Sequence, residues 1–222
     1  MTSTFLLYGA NGFVGEAAAR MAVGAGLRPV LAGRDAAKIE KLAAELSLEC
    51  RVFDLQDPVK VESALKDTTV LLHCAGPYLY TSRPMVDACL RTGTHYLDLT
   101  GEIPVYEAVA SRDAEARARG VMLLPGAGFD VVPTDCLALH LKQRLPTATH
   151  LALAFQSAGP GGLPPGTQRT AIEMINFGDR VRSAGALVAP EQAVKTRTVD
   201  FGKGPVQAVR LTWGDVFTAY YS

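Results

Sequence analysis

The amino-acid sequence predicts an α/β fold, in which a doubly wound parallel sheet precedes a partial α+β region with a mainly antiparallel sheet. Up to about Leu124, short apolar strands alternate with amphipathic helices, the order that builds parallel sheets with right-handed crossovers. A turn with regularly spaced glycines follows the first strand, and beyond Leu124 the elements are fewer and separated by turn-rich segments. We therefore divide the chain into a first domain, 1–148, and a second domain, 149–222.

The predicted elements of the first domain follow one another regularly. Strands are predicted over 5–8, 29–32, 50–53, 69–74, 96–99 and 121–124, and helices over 13–25, 35–46, 84–92, 104–119 and 135–145, with another from Asp57. Asp35 and Asp57-Pro58 are typical helix starts, because aspartate caps free N–H groups and proline fits the first helical position. Thr134 is expected to cap the helix over 135–145. In the second domain we expect a strand over 150–156, a helix over 167–177, and antiparallel strands over 196–201 and 206–213.

Composition and charge exclude several classes of protein. The 222 residues contain 22 lysines and arginines against 22 aspartates and glutamates, which leaves no basic footprint for nucleic acid. No apolar run approaches the ~20 residues of a membrane span, and no charged leader precedes the first strand, so we expect a cytoplasmic protein. Cys50, Cys74, Cys89 and Cys136 lie far apart without ligand spacing. We expect buried reduced thiols and no metal site.

The glycine turn after the first strand is the clearest local signal for a ligand. Gly9, Gly12 and Gly15 recur every three residues where a strand passes into a helix. Gly9 permits a sharp turn, Gly12 lets backbone N–H groups approach a pyrophosphate, and Gly15 lets the helix pack closely. The positive end of the helix dipole would face the phosphates. We assign Gly9, Asn11, Gly12, Phe13 and Val14 to a dinucleotide site; a glycine-rich turn without a ligand is the alternative.

The end of the second strand indicates which dinucleotide binds. An acidic side chain there would bind the ribose hydroxyls of NAD, but the sequence has Ala32-Gly33-Arg34. A guanidinium suits a 2′-phosphate, so Arg34 favours NADP(H), and Lys38 adds positive charge. Arg34 as a solvated surface residue is the alternative. Asp54, after the third strand, is assigned to the adenine amine or, alternatively, to an ordinary loop.

Later motifs carry a resemblance to a known family. Gly9–Gly15, Ala32–Arg34, Cys74–Tyr78, Gly93–Glu102 and Gly126–Asp135 resemble, in this order, motifs of the saccharopine dehydrogenase-like NADP-binding oxidoreductases. The nearest branch contains the trans-acting enoyl reductases and the saccharopine dehydrogenase-like oxidoreductases. The resemblance implies a Rossmann domain, NADP(H) and hydride transfer. Chains of that family usually continue further, so we expect the second domain to be truncated here.

The loop after the fourth strand is the second part of the predicted site. Ligands of open α/β sheets bind beyond the carboxyl ends of the strands, where Ala75, Gly76 and Pro77 lie. Gly76 would permit close approach of the nicotinamide ribose. We assign all three residues to the cofactor.

Titratable side chains are expected at the same strand ends. Tyr78, His95, Tyr96, Asp98 and Glu102 form this predicted cluster. We take Tyr78, His95 and Asp98 as candidate catalytic residues, because a proton must be donated as the hydride arrives. Tyr96 and Asp98 could instead pack and cap.

These features predict an NADPH-dependent oxidoreductase that transfers a hydride to a C=N or polarised C=C bond of a small or carrier-bound substrate. The alternative is a non-catalytic NADP-binding sensor or scaffold, which keeps the glycine turn but needs no proton donor. A homodimer through the second domain is a further expectation. Substrate identity is not specified, because the pattern of the second domain is weak.

Overall fold

The structure is a computed structural model that describes residues 5–129, 131–156, 165–174, 177–191 and 196–222. These residues form two compact units. The first unit comprises the described residues up to Thr100 together with Pro104–Gly128. The second unit comprises Gly101–Ile103 and the described residues from Phe129 onward.

Six parallel strands form the sheet of the first unit. They are β1 (Phe5–Tyr8), β2 (Val30–Gly33), β3 (Cys50–Val52), β4 (Val70–His73), β5 (His95–Asp98) and β6 (Leu123–Leu124). Their spatial order is β3-β2-β1-β4-β5-β6. Strand order reverses between β1 and β4, as in doubly wound Rossmann sheets, which bind dinucleotides across the crevice at this reversal. The predicted fold class of the first domain is confirmed.

Six helices connect these strands or follow them. They are α1 (Phe13–Gly24), α2 (Ala36–Leu46), α3 (Pro58–Leu65), α4 (Tyr78–Thr92), α5 (Ile103–Ala110) and α6 (Asp113–Arg119). The predicted caps are present, because the Asp35 and Asp57 carboxylates accept hydrogen bonds from the backbone N–H groups of Lys38 and Lys60. Such caps typically contribute about 1 kcal/mol each to the free energy of unfolding.

Two helix predictions were wrong. Helix α4 begins at Tyr78 and contains Pro84, which we had taken as its start. Burial of Tyr78 and Met85 on either side of Pro84 offsets the backbone hydrogen bond that proline removes. The predicted helix over 104–119 is divided into α5 and α6. At the division, the Arg112 guanidinium pairs with the carboxylates of Asp87 at 2.6 Å and Glu115 at 2.7 Å.

The core of the first unit covers both faces of the sheet. Leu6 and Leu7 are neighbours on β1, point to opposite faces and belong to different apolar clusters. Both are fully buried, as are Leu31 on β2 and Leu71 on β4. Burial of each such leucine stabilises the fold by about 1.5–3 kcal/mol. Burial on both faces explains why these strands are apolar without alternation.

The second unit consists of three helices and two antiparallel hairpins among its described residues. The helices are α7 (Val132–Arg144), α8 (Pro165–Met174) and α9 (Asp215–Thr218). One hairpin pairs β7 (Val181–Ser183) with β8 (Ala186–Val188), and the other pairs β9 (Thr196–Asp200) with β10 (Pro205–Val209). These small sheets confirm the predicted α+β character of the C-terminal region. Helix α7, which we had assigned to the first domain, belongs to this unit.

Several details of the second unit differ from the sequence analysis. The predicted strand over 150–156 is not formed. Hairpin β7–β8 was not predicted, although its turn at Ala184-Gly185, with φ of 47° and 81°, suits a two-residue hairpin. Val131, rather than Thr134, precedes the first turn of α7, because Pro133 fits the start of a helix. Helix α8 ends at Met174, and 175–176 lie outside the described residues.

The four cysteines carry free thiols, as predicted, but in different surroundings. Cys89 is buried, Cys50 and Cys74 are half-buried, and Cys136 on α7 is exposed. The expectation of burial was therefore wrong for Cys136, which lies beside the exposed Leu137 on α7. Among the described residues, no helix is long and apolar enough to cross a membrane.

Candidate dinucleotide site

The glycine turn brings the start of α1 against the end of β1. Gly9 has a φ of +81°, and its N–H donates to the carbonyl oxygen of Ala32 on β2 at 2.8 Å. A Cβ at Gly15 would lie only 2.2 Å from the carbonyl oxygen of Gly9, so the helix sits directly on the turn. Gly12 precedes the helix without a side-chain cap. The first N–H groups of α1 thus begin at an uncapped, exposed residue, which suits an anion.

The other residues assigned to this turn surround the same helix start. Phe13 and Val14 are exposed, by 76% and 44%, in the first turn of α1. The Asn11 side chain lies beside the end of β2, since its Oδ1 would be 3.1 Å from a Cβ at Gly33. The structure therefore brings Gly9, Asn11, Phe13 and Val14 together with Gly12, as their sequence proximity requires.

The end of β2 presents a cation and no available acid. Arg34 is exposed and makes no hydrogen bond or ion pair with the described part of the chain. The neighbouring Asp35 carboxylate pairs with the Lys38 ammonium at 3.1 Å and caps α2, and Lys38 holds the pKa of Asp35 below its usual value. Arg34 is consequently the side chain best placed to meet a 2′-phosphate.

Asp54 lies beyond the end of β3, next to the strand that carries Arg34. Its exposed carboxylate accepts a hydrogen bond from the Gln56 N–H at 2.8 Å. Both Arg34 and Asp54 act on the buried Tyr8 hydroxyl, whose pKa rises to about 12 through burial and the Asp54 charge, while Arg34 opposes the rise. The two charged side chains therefore lie at the same edge of the sheet. The Asp54 contact with adenine stays a prediction.

The loop after β4 packs against the glycine turn. A Cβ at Gly9 would lie 2.9 Å from the Cβ of Ala75 and 3.0 Å from its backbone nitrogen. Gly76 is exposed, and Pro77 precedes the first turn of α4. Across the β1–β4 crevice, the structure therefore joins both glycine-containing loops that the sequence assigned to the cofactor.

Tyr78 is located at the predicted strand end, but its hydroxyl points inward. The side chain is buried, and the hydroxyl donates to the carbonyl oxygen of His73 at 3.3 Å. Proton donation by Tyr78 would require this hydrogen bond to be exchanged for one with a substrate. Its catalytic role stays a prediction.

His95 lies at the opposite edge of the sheet from the other candidates. It is the first residue of β5 and pairs with Val70, the first residue of β4, whereas Asp98 pairs with His73 at the strand ends. The His95 Nδ1 accepts a hydrogen bond from the Met122 N–H at 3.0 Å. The expected clustering of His95 with the others was wrong, because the strand begins at His95 and runs about 3.3 Å per residue away from it.

Asp98 is fully buried at the carboxyl end of β5, where its carboxylate accepts several hydrogen bonds. Its carboxylate accepts hydrogen bonds from the Tyr96 hydroxyl at 2.6 Å and from the N–H groups of Thr100 and Gly126 at 3.0 and 2.8 Å. Burial, followed by the Asp98 charge, raises the pKa of Tyr96 well above its usual value. This geometry holds the loops after β5 and β6 in place, which fits the packing role that was the alternative for Tyr96 and Asp98.

No role was predicted from the sequence for two further polar residues, His73 and Thr81. His73, the last residue of β4, is fully buried, and its Nε2 lies 3.0 Å from the Thr81 hydroxyl. Burial lowers the pKa of His73 to about 3, so the ring is neutral at physiological pH. The sequence feature that could have indicated a role for His73 is its position at the end of an apolar strand, just before Gly76-Pro77. No group of three or more potential metal ligands occurs within the described ranges.

The strand order and the paired glycine loops define a dinucleotide-binding Rossmann protein, and Arg34 favours the phosphorylated cofactor. The family model of the saccharopine dehydrogenase NADP binding domain matches residues 5–124. The chain belongs to this family, and its first unit is an NADP-binding domain. The resemblance drawn from the motifs is thereby confirmed.

Individual relatives agree with this assignment. The chain is 30% identical to the saccharopine dehydrogenase-like oxidoreductase of Rattus norvegicus over 200 residues, covering 79% of the chain and 46% of that protein. It is 34% identical to the trans-acting enoyl reductase of Mycobacterium leprae (strain TN) over 148 residues, covering 63% and 35%. The apo histidine-tagged saccharopine dehydrogenase (L-Glu forming) from Saccharomyces cerevisiae shares the fold, with a TM-score of 0.54 and 19% identity over 64% of this chain and 32% of that one. The chain spans about half the length of the first of these relatives.

Proposed function

We propose that the protein is an NADPH-dependent oxidoreductase that reduces a C=N or polarised C=C bond of a small or carrier-bound substrate. The proposal rests on one observation above all, the meeting of the Gly9 turn and the Ala75–Pro77 loop across the β1–β4 crevice, with the exposed Arg34 on one side. The names of the relatives, an oxidoreductase and an enoyl reductase, support the reaction class. A cytoplasmic location is part of the proposal.

Each part of the site would hold a different part of the cofactor. The start of α1 and Gly12 would bind the pyrophosphate, and Arg34, assisted by Lys38, would bind the 2′-phosphate. The nicotinamide riboside would then extend over β4, where the exposed Gly76 leaves room for it. Bound NADPH supplies the hydride, and the chain supplies the orientation and the proton.

The proton donor would come from the carboxyl ends of β4 and β5. Tyr78 is one candidate there, and Asp98 with its hydrogen-bonded partner Tyr96 is the other. His95 is less suitable, because it lies at the amino end of β5.

A sensor or scaffold that binds NADP(H) without chemistry is the second candidate function. It is favoured by the hydrogen bonds that engage the Tyr78 hydroxyl and the Asp98 carboxylate within the fold. A group committed to such bonds is a poor proton donor unless it is released.

NADPH oxidation separates the two functions. We expect NADPH to bind, as measured by fluorescence titration, and to be oxidised by at least one member of a panel of free and carrier-bound enoyl and imine compounds. Gly12→Val serves as control, since a branched side chain at the exposed helix start should abolish binding without unfolding the chain. Binding without oxidation by any compound would favour the sensor. Absence of binding in the wild type would contradict both functions.

A further inference from the structure

The connection between β4 and α4 contains a chain of hydrogen bonds that the function above does not use. The hydroxyl of Thr81, in the first turn of α4, lies 2.7 Å from the carbonyl oxygen of Ala75 and 3.1 Å from that of Pro77. The same hydroxyl lies 3.0 Å from the Nε2 of His73. A ring nitrogen from the end of β4 and two carbonyl oxygens of the following loop therefore lie within hydrogen-bond distance of a single side-chain oxygen.

The direction of these hydrogen bonds follows from the number of protons. A threonine hydroxyl has one proton, and a carbonyl oxygen can only accept. At 2.7 Å, the oxygens of Thr81 and Ala75 would repel each other unless the hydroxyl proton lay between them. The Thr81 oxygen must then accept a hydrogen bond from His73, whose Nε2 carries the hydrogen. The chain runs from the His73 ring through Thr81 to the Ala75 carbonyl, and each bond polarises the next.

The surroundings of the His73 ring are aromatic, and the hydrogen bond to Thr81 is the one its ring nitrogens make among the described residues. The edge of Tyr78 packs against it at 5.3 Å, and Tyr8 and Tyr96 lie at 5.6 and 6.3 Å between ring centroids. The other ring nitrogen, Nδ1, is buried and has no hydrogen-bond partner among the described residues. An unpaired buried acceptor lowers stability, so an apolar residue would be preferred here if packing were the only requirement.

We propose that His73 and Thr81 are positioning residues that fix the loop Ala75–Pro77 for the nicotinamide half of NADPH. The proposal rests on the proposed cofactor site and deepens it. The loop is pressed against the Gly9 turn on one side, where a Cβ at Gly9 would meet Ala75 at 2.9 Å. On the other side, the Thr81 hydroxyl donates to the Ala75 carbonyl oxygen at 2.7 Å and lies 3.1 Å from that of Pro77. The backbone around the exposed Gly76 is thus held at both ends.

The sheet order explains why the effect should be confined to one half of the cofactor. Arg34 follows β2, and the Ala75–Pro77 loop follows β4, on opposite sides of β1. With the 2′-phosphate at Arg34 and the pyrophosphate at α1, the adenosine half lies over β2 and the nicotinamide half over β4. A ligand that consists only of the adenosine half would not reach the loop.

The test compares two ligands on three variants of the full chain. The ligands are NADPH and adenosine 2′,5′-bisphosphate, which lacks the nicotinamide half. Thr81→Val removes the hydroxyl with little change of shape, whereas Thr81→Ser retains it. Thr92→Val is the matched control, because Thr92 also donates to a backbone carbonyl of α4, that of Ala88 at 2.9 Å, but at the other end of the helix.

We expect Thr81→Val to weaken NADPH about fivefold, the effect of one hydrogen bond, and to leave the bisphosphate within about twofold of wild type. Thr81→Ser and Thr92→Val should bind both ligands as the wild type does. Equal losses of both ligands in Thr81→Val, or none, would overturn the positioning role. If the wild type fails to bind NADPH, the proposed function itself fails. Independently of any variant, nitrogen NMR should show the neutral His73 ring protonated at Nε2, and protonation at Nδ1 would contradict the chain of hydrogen bonds.

Discussion

The two units of the chain bury their apolar side chains to very different extents. In the first unit, the leucines of β1, β2 and β4 are completely buried on both faces of one sheet. In the second, four leucines of α7 and the residue after it, at 137, 139, 141 and 145, are exposed by 37–59%. Helices on both faces of the sheet bury the side chains of its central strands. Helix α7 has apolar residues on several sides, so no single neighbouring element could bury all of them.

Several polar contacts connect elements within the second unit. The Arg182 guanidinium donates to the carbonyl oxygens of Val216 and Phe217 near the end of α9, and it stacks on the Tyr220 ring at 4.5 Å. The buried Glu102 carboxylate accepts a hydrogen bond from the Thr170 hydroxyl of α8 at 3.1 Å. Truncation of one of the exposed leucines should therefore change the stability of the second unit little.

The largest expected difference concerns leucine truncation. Leu71→Ala should lower the free energy of unfolding of the first unit by about 2–5 kcal/mol, because it leaves a cavity in a fully buried strand. Leu145→Ala, at a side chain 59% exposed, should change the stability of the second unit by less than about 0.5 kcal/mol. Circular dichroism follows the whole chain, and the fluorescence of Trp213, the one tryptophan, follows the second unit. Similar losses in the free energy of unfolding for Leu71→Ala and Leu145→Ala would contradict the difference in apolar burial between the two units.

Gly15→Ala should be nearly as severe, although it adds only one carbon atom. The new Cβ would lie 2.2 Å from the Gly9 carbonyl oxygen, so α1 must move, at an expected loss of about 3 kcal/mol in the stability of the first unit. Gly24→Ala at the end of the same helix is the control. A Cβ there would meet no atom of the described residues within 4 Å, and stability should stay level or rise by up to about 1 kcal/mol. Denaturant unfolding measures both, and an unchanged Gly15→Ala would disprove the close packing.

Arg34→Ala tests the cofactor site within the first unit. Loss of a charge-assisted contact worth about 1.5–3 kcal/mol should weaken NADPH ten- to hundredfold and leave NADH almost unchanged. Lys38→Ala should have a smaller effect, because the Lys38 ammonium already pairs with Asp35 at 3.1 Å. Isothermal titration calorimetry with both cofactors provides the measurement. Equal losses of affinity for NADPH and NADH would show that Arg34 does not bind the 2′-phosphate.

The smallest expected effect distinguishes the units by their response to acid. In the second unit, burial raises the pKa of Asp215, and the Asp135 charge adds to the rise. The folded state then binds this proton more tightly than the unfolded chain does, so the contribution of Asp215 to stability is fully present at low pH and is lost as pH rises through the folded pKa. In the first unit, the pKa values of Asp35, Glu45 and Asp57 are lowered by hydrogen bonds from Lys38, Arg20 and Lys60. Their contribution is lost as pH falls.

Asp215→Asn isolates this effect. The variant should be more stable than wild type at pH 7, by no more than about 1 kcal/mol because the group is half-exposed, and its second unit should gain less stability on acidification. Trp213 fluorescence during denaturation at several pH values gives the comparison. If the variant and the wild type gain equally as the pH falls, Asp215 is not the titrating group.

The sequence was sufficient for the parts of the fold where several independent signals agree. In the first unit, an apolar strand, a cap such as Asp35 and a helix of suitable length follow one another repeatedly, and the predicted doubly wound parallel sheet is confirmed. Errors arose where one residue type is compatible with two positions in a helix. Pro84 was read as a helix start, but it lies inside α4, because burial around it outweighs one lost hydrogen bond.

The candidate site shows the same limit. Residues near each other in the chain, such as Gly9 and Gly12, were brought together as expected, because local geometry decides their positions. His95 was misplaced because closeness in the chain to Asp98 was taken as closeness in space, although a strand begins at or just after His95 and separates it from the carboxyl end of β5. The inward direction of Tyr78 and the role of His73 depend on packing between β4 and α4, which no periodicity in the sequence reports.

The exposure of Cys136 makes this protein convenient for labelling. Burial raises the pKa of Cys74 to about 12 and that of Cys89 further, so these two thiols resist conversion to the reactive thiolate. Cys136 is exposed in the second turn of α7. A maleimide dye should therefore attach there preferentially in the unaltered sequence. Energy transfer from Trp213 to that dye would then follow the second unit alone, during cofactor binding or unfolding, without any engineered cysteine.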